Sequence, residues 1–186
     1  QWNWDVIPFI LGEWTPSSSW GGNYWAYLPQ RIREAYVFIE NAKPLPDQNL
    51  PLEEVEYMKA ECRFLAAYYW YLLTDTYGAI PYRPNFIAPS DSDLESLKVG
   101  QIPYYQIIDD LDQEFLAVSK LLPATYSDGR KYGRATSIMC LAIRARMLVF
   151  AASPLVNGNP DYASFVNRSG EHLFSTSYDP SRWTRA

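Results

Sequence analysis

The chain has 186 residues, 48% of them apolar and 16% aromatic, which excludes a disordered or low-complexity sequence. Its 16 Lys and Arg stand against 21 Asp and Glu, and the net charge of −5 disfavours nucleic acid or an anionic membrane surface as the main partner and favours neutral or weakly charged ligands. The longest apolar run, "MLVFAASPLV" (147–156), is broken by Ser153 and Pro154 and is too short to span a bilayer.

In chain order, the first feature is a segment without helical or strand periodicity. "EWTPSSSWGGNYW" (13–25) sets tryptophans among Gly, Pro and Ser, and five of the seven tryptophans (Trp2, Trp4, Trp14, Trp20 and Trp25) lie within the first 25 residues. Four helical segments follow. The first is expected from about Tyr24 to Ala42, with Ile32, Ala35, Tyr36 and Ile39 at helical spacing. The second begins at Pro51 with Glu53 and Glu54 in its first turn and ends at Gly78. It carries two apolar stripes, one of Val55, Met58, Cys62, Leu65, Tyr69 and Leu72, the other of Tyr57, Phe64, Tyr68 and Tyr71. A helix with two such faces must be covered from two sides.

The third segment starts after Pro103, shows Tyr104, Ile107, Leu111, Phe115, Val118 and Leu122 to the core, and stops at Pro123. Asp109, Asp110 and Asp112 lie mostly on its other side and read as a solvated face. The fourth starts with Thr136 as N-cap and is apolar nearly all round apart from Arg144 and Arg146, so it is expected to be central. Setting Cys62 over Cys140 superposes Ala67 on Ala145, a faint repeat that fits stacked helical hairpins. "YDPSRWTRA" reads as the start of a fifth helix, with Asp179 as N-cap and Pro180 in its first turn. The expectation is therefore a single all-α domain, an aromatic loop segment (1–23) followed by a helical repeat region (24–186), forming part of a longer protein.

Several of these stretches together resemble one family. "AECRFLAAYYWYLLTDTYGAIPYRP" (60–84) is similar to the signature helix of the SusD/RagB outer-membrane nutrient-binding lipoproteins, through Ala60, Glu61, Arg63, Phe64, Leu65, Ala67, Tyr68, Tyr77, Gly78 and Pro81. Cys62 and Ala66 depart from that signature. "IIDDLDQEFLAVSKLLP" (107–123), "GRAT" (133–136), "ARMLVFAASPLVNGNP" (145–160) and "DPSRW" (179–183) resemble further family helices in the same order. The resemblance implies a tetratricopeptide-like scaffold with long loops and no catalytic activity. It implies a lipid anchor on the outer face of the outer membrane, in a part not included in these residues. It also implies glycan or, in some members, peptide ligands, and a SusC-like TonB-dependent transporter as partner.

The site candidates follow from chemistry and from that resemblance. A sugar ring has an apolar face that lies flat on an indole, and a stiff aromatic loses little entropy on binding. Trp14, Trp20, Asn23, Tyr24 and Trp25 are the candidate ligand-binding set, with Trp20 expected to be exposed and Trp25, where the helix begins, expected in the core. The opposing reading is a lid of tryptophans over the helix ends. Peptide capture and a purely protein-binding scaffold stay open as alternatives. Cys62 and Cys140 are expected as free thiols, since helix-interior cysteines rarely meet bridging geometry. His172 stands without a catalytic or metal motif around it, "SDSDLE" (90–95) lacks the offsets of a calcium loop, and "GRKYGR" (129–134) lacks a phosphate-loop pattern. Neither a cofactor nor a metal ion is expected. Glu61 and Arg63 are expected to pair with neighbouring helices, and Arg144 and Arg146 with Asp109, Asp110 or Asp112.

Overall fold

The structure, a computed structural model, describes residues 7–15, 17, 18 and 23–186. Its α-helices are α1 (Ile7–Ile10), α2 (Leu28–Asn41), α3 (Leu52–Tyr77), α4 (Leu94–Leu97), α5 (Tyr104–Ser119), α6 (Ser137–Ala152) and α7 (Ser181–Arg185). Among the described residues the extended chain forms only isolated bridges, such as Pro81 with Gln101. The all-α expectation holds. The first long helix is delayed, however: Tyr24–Ala26 form a 3-10 turn, and α2 proper begins at Leu28 with Pro29 in its first turn.

Helix α3 packs against both α2 and α5, and α5 in turn packs against α6, so two hairpins stack through α3 and α5. The two-sided burial expected of α3 is present, but the buried rows differ from the large-residue stripes. Phe64 and Tyr71 are buried; Met58, Cys62, Tyr69 and Leu72 are only partly so, and Leu65 is 37% exposed. The closest-packed rows run through Ala60, Ala66, Ala67, Trp70, Leu73 and Thr74. Small side chains let neighbouring helices approach, and it is the approach that buries the larger rings between them. At its end, Gly78 adopts φ +74 and its N–H returns to the Thr74 carbonyl at 2.8 Å. A Cβ there would stand 2.9 Å from Cζ of Phe174, so glycine also lets the C-terminal loop close over α3.

Helix α6 differs from expectation. Thr136 caps it, accepting from the Met139 N–H at 3.1 Å. Cys140, Met147, Leu148, Ala151 and Ala152 are buried, yet Ile138, Leu141 and Val149 are 59%, 43% and 49% exposed. The helix is not central. Only α5, the short α7 and a light touch of α3 cover it among the described residues, leaving one apolar face in solvent.

Ion pairs fix how the helices register. Arg63 clamps Glu114 with two 2.7 Å bonds, joining α3 to α5. Arg134 grips Glu61 in the same bidentate way and reaches Glu54, which also receives Lys131. The basic "GRKYGR" loop is thus tied to the start of α3. Its neighbour Tyr126 donates to Glu61 at 3.1 Å, and burial together with that carboxylate pushes its phenol up to about 12. Asp112 is not solvated as expected: it is 2% exposed and held by Arg144 at 2.5 Å and Arg185 at 2.6 Å, with Arg185 also on Asp109. Arg144 meets its expected partner, whereas Arg146 instead lies in the field of Asp75 and Tyr71. Both cysteines are free.

Two outcomes are expected from these pairs. Asp112→Ala leaves two guanidiniums without their buried carboxylate and is expected to lower stability by about 3 kcal/mol in urea denaturation, whereas Arg31→Ala, in an exposed pair on α2, leaves the midpoint unchanged. Lys131 and Arg134 hold the Glu54 carboxyl below its ordinary value of 4.5. A depressed carboxyl stabilises the fold above its unfolded pKa, and the contribution is lost as pH falls through the native value. Stability is therefore expected to fall as pH drops below about 4.5, with a shallower slope in Glu54→Gln.

Candidate functional site

The C-terminal end of α3 gathers part of the aromatic segment. Tyr77 stands there, and its hydroxyl accepts the Trp25 backbone N–H at 3.3 Å and donates to Oδ1 of Asn23 at 3.4 Å. The Trp25 and Tyr77 rings meet edge to face, 5.9 Å apart at 78°. Trp25 is 45% exposed rather than core. The reason is local: the 3-10 turn places its backbone against Tyr77 and leaves its indole facing outward. Tyr24 in the same turn is half-buried and lies edge-on to Tyr27.

Beside Trp25 an open cavity of about 400 Å³ is lined by α2, by the floor of α3 and by the long loop that follows α3. Trp70 and Tyr36 form the floor, and the Trp70 indole N–H donates to the Tyr36 hydroxyl at 3.0 Å. The loop supplies the far wall. Arg83 lays its guanidinium over the Phe86 ring, 3.3 Å from the centroid, a cation–π contact that stiffens both side chains. Asn85 takes a left-handed conformation at φ 56 between them, and its backbone meets the Tyr36 hydroxyl. Asp93 caps α4 by accepting from the Ser96 N–H at 2.8 Å, which holds Leu97 and Val99 against the cavity. The Ile102 N–H on the Ile80 carbonyl at 3.0 Å and the Gln101 amide on the Ala79 carbonyl at 2.9 Å close the base of the loop.

The candidate set is therefore only partly assembled. Asn23, Tyr24 and Trp25 meet at one place, with Trp25 lining the cleft. Trp14 stacks on Phe9, 4.9 Å apart at 18°, and is not among the cleft's lining residues. Trp20 lies outside the described residues. Arg33, Trp70, Arg83 and Phe86 were not anticipated; the available signal was the length of the loop over 80–102 and the Arg and Phe set between prolines in "PYRPNFIAP" (81–89). The other motifs hold structure. Asn167 of "NRS" accepts from Ser169 and from the Glu171 N–H within its own turn, and no three His, Cys, Asp or Glu side chains among the described residues gather as a metal site needs.

Stacked helical hairpins carrying an open cleft of aromatic rings and guanidiniums describe a helical-repeat scaffold. Comparison with known proteins agrees with that class. Residues 2–149 match the model of the SusD-like family described as starch-binding, associating with the outer membrane, and the chain belongs to this family. It is 29% identical over 168 residues to the starch-binding protein SusD of Bacteroides thetaiotaomicron, covering 88% of this chain and 26% of that protein. The solved structure of BT4246 superposes with a TM-score of 0.76 at 34% identity, over 87% of this chain and 27% of that one. A SusD-like carbohydrate-binding protein from Bacteroides fragilis shares the fold, with a TM-score of 0.60 at 22% identity over 74% of this chain and 26% of that one. The 186 residues thus span about a quarter of the length of these relatives.

Tyr77→Phe tests how Trp25 is held. It removes one acceptor for the Trp25 N–H and is expected to change stability by no more than about 1 kcal/mol. Trp25 fluorescence, isolated by comparison with Trp25→Phe, should shift toward the solvent-exposed spectrum.

Proposed function

We propose that these residues are the N-terminal helical part of a non-catalytic, lipid-anchored protein on the outer face of the outer membrane. It captures an oligosaccharide and passes it to a SusC-like TonB-dependent transporter. Family membership supports the surface location and the glycan class. The observation that carries the reading for this chain is the Trp25 indole, nearly half exposed and fixed by Tyr77 at the mouth of a 400 Å³ cleft. A ring in that position offers a flat apolar face to a sugar, and Arg33, Arg83 and Asn23 offer hydrogen-bonding groups near it. Trp14 and Tyr24 are proposed as an outer extension of the same surface, and Trp20 is proposed as a further ligand contact. The candidate site holds no pair of carboxylates poised as acid and base, which favours capture over hydrolysis.

The test is affinity electrophoresis of the full-length protein through gels containing a panel of polysaccharides. One polysaccharide should retard the protein, and Trp25→Ala should reduce that retardation about tenfold or more while circular dichroism stays unchanged. Retardation untouched by Trp25→Ala would move the site away from this cleft. A protein that passes every glycan gel but binds peptides would replace sugar capture by peptide capture.

A further inference from the structure

The cleft has a charge that the whole chain hides. Most arginines in this protein are committed to carboxylates: Arg31, Arg63, Arg130, Arg134, Arg144, Arg182 and Arg185 each lie within 4.0 Å of an Asp or Glu oxygen. Among the described residues Arg33, Arg83, Arg146 and Arg168 have no such partner. Arg146 lies in the field of Asp75. The other three share one region. Arg33 and Arg83 line the Trp25 cleft, whose lining contains no carboxylate.

A second, larger cavity of about 670 Å³ abuts that cleft, and both are walled by Pro81 and Val99. Arg168 lines it together with Gln101, Asn167 and Ser169, again without a carboxylate. Lys98 also lines it and is held by Glu95 at 2.5 Å. The two cavities share these two lining residues and together are termed the trough; Trp25 lines one part of it and Arg168 the other. Amides and a hydroxyl lie along it. A chain with a net charge of −5 that keeps three arginines unpaired in one trough has placed a local positive field inside a negative molecule.

We propose that the trough selects acidic oligosaccharides, those bearing carboxylate or sulfate groups, over neutral ones. This rests on the glycan-capture reading above and names the ligand class for it. The aromatic end binds a sugar face of any charge. The guanidiniums add planar, forked donors that match a carboxylate or sulfate, and such charge-assisted bonds are about twice as strong as neutral ones. Stacking on Phe86 presents the Arg83 fork without the entropy cost a free arginine would bear. The overall negative charge works against a polyanion at long range, so the preference should appear at physiological salt, where the Debye length of about 8 Å confines each charge to its neighbourhood.

The experiment uses full-length protein and polymer pairs that differ only in charge: polygalacturonate against its carboxyl-reduced form, and dextran sulfate against dextran. Calorimetry at about 0.15 M salt is expected to show at least tenfold tighter binding to the charged member of one pair, and which pair responds separates carboxylate from sulfate. Arg33→Gln/Arg83→Gln should remove that advantage, and Arg83→Lys should keep only part of it. Arg130→Gln is the control for simple loss of charge. Its loop is tied to Glu54 at the start of α3, whereas the cleft meets α3 at Trp70, about 24 Å further along the helix at 1.5 Å per residue.

Equal binding of charged and neutral partners, or an advantage that survives the double variant, overturns the acidic preference and leaves glycan capture standing. An advantage reduced as much by Arg130→Gln as by the cleft variants shows general ion exchange and also overturns it. Absence of binding to all four polymers, with neutral glycans of the wider panel still retained in gels, overturns the acidic class alone. Absence of binding to every glycan removes the capture reading and this proposal with it.

Discussion

One buried hydrogen bond organises the candidate site. The Trp70 indole N–H is nearly sealed inside the α2–α3 hairpin, and a buried donor without an acceptor costs about 1–3 kcal/mol. Tyr36 supplies the acceptor from α2, and the rings of both residues face two cavities at once: the Trp25 cleft on one side, and on the other a 270 Å³ cavity bordered by Tyr82 and the Arg63–Glu114 pair. The floor of the cleft is therefore also the seam of the hairpin. Its position follows from helix packing, and the loops above it need only supply the walls.

The same economy explains the difference between the two hairpins. Helix α3 finds neighbours on both sides, and alanines at 60, 66 and 67 bring α2 and α5 close enough to bury Phe64, Trp70 and Tyr71. Helix α6 is the more apolar of the two along its length, yet Ile138, Leu141 and Val149 stay in solvent because α5 and α7 meet only part of its circumference. Apolar content says that a helix wants covering. It does not say that a cover lies within these residues, which span about a quarter of the length of the relatives they match.

Helix positions were legible in the sequence because caps and prolines mark them locally: Thr136 and Gly78 punctuate the chain where expected. Asp112 was misplaced for the opposite reason. A carboxylate among other acids on an amphipathic helix reads as solvated, and the two arginines that bury it come from α6 and from 73 residues further on. The site shows the same division. Trp25 was visible as one of the clustered N-terminal tryptophans but was expected in the core, and its neighbours Arg83 and Phe86 belong to a loop with no periodic signal. The overall charge averages over arginines neutralised in pairs and arginines without an ion-pair partner. Only coordinates separate the two.

The loop over 83–99 has a further consequence. Most of its residues are exposed, it contributes little to the helical core, and its base is closed by backbone and amide bonds at 79–81 and 101–102 that lie outside it. Its Arg, Phe, Leu and Val side chains nevertheless form one whole side of the cleft. Such a segment can be rewritten by inheritance almost independently of the rest: insertions and substitutions there reshape the cleft wall while the α2–α3 seam beneath stays intact. A lineage need alter only about seventeen residues to try a new wall on an old floor.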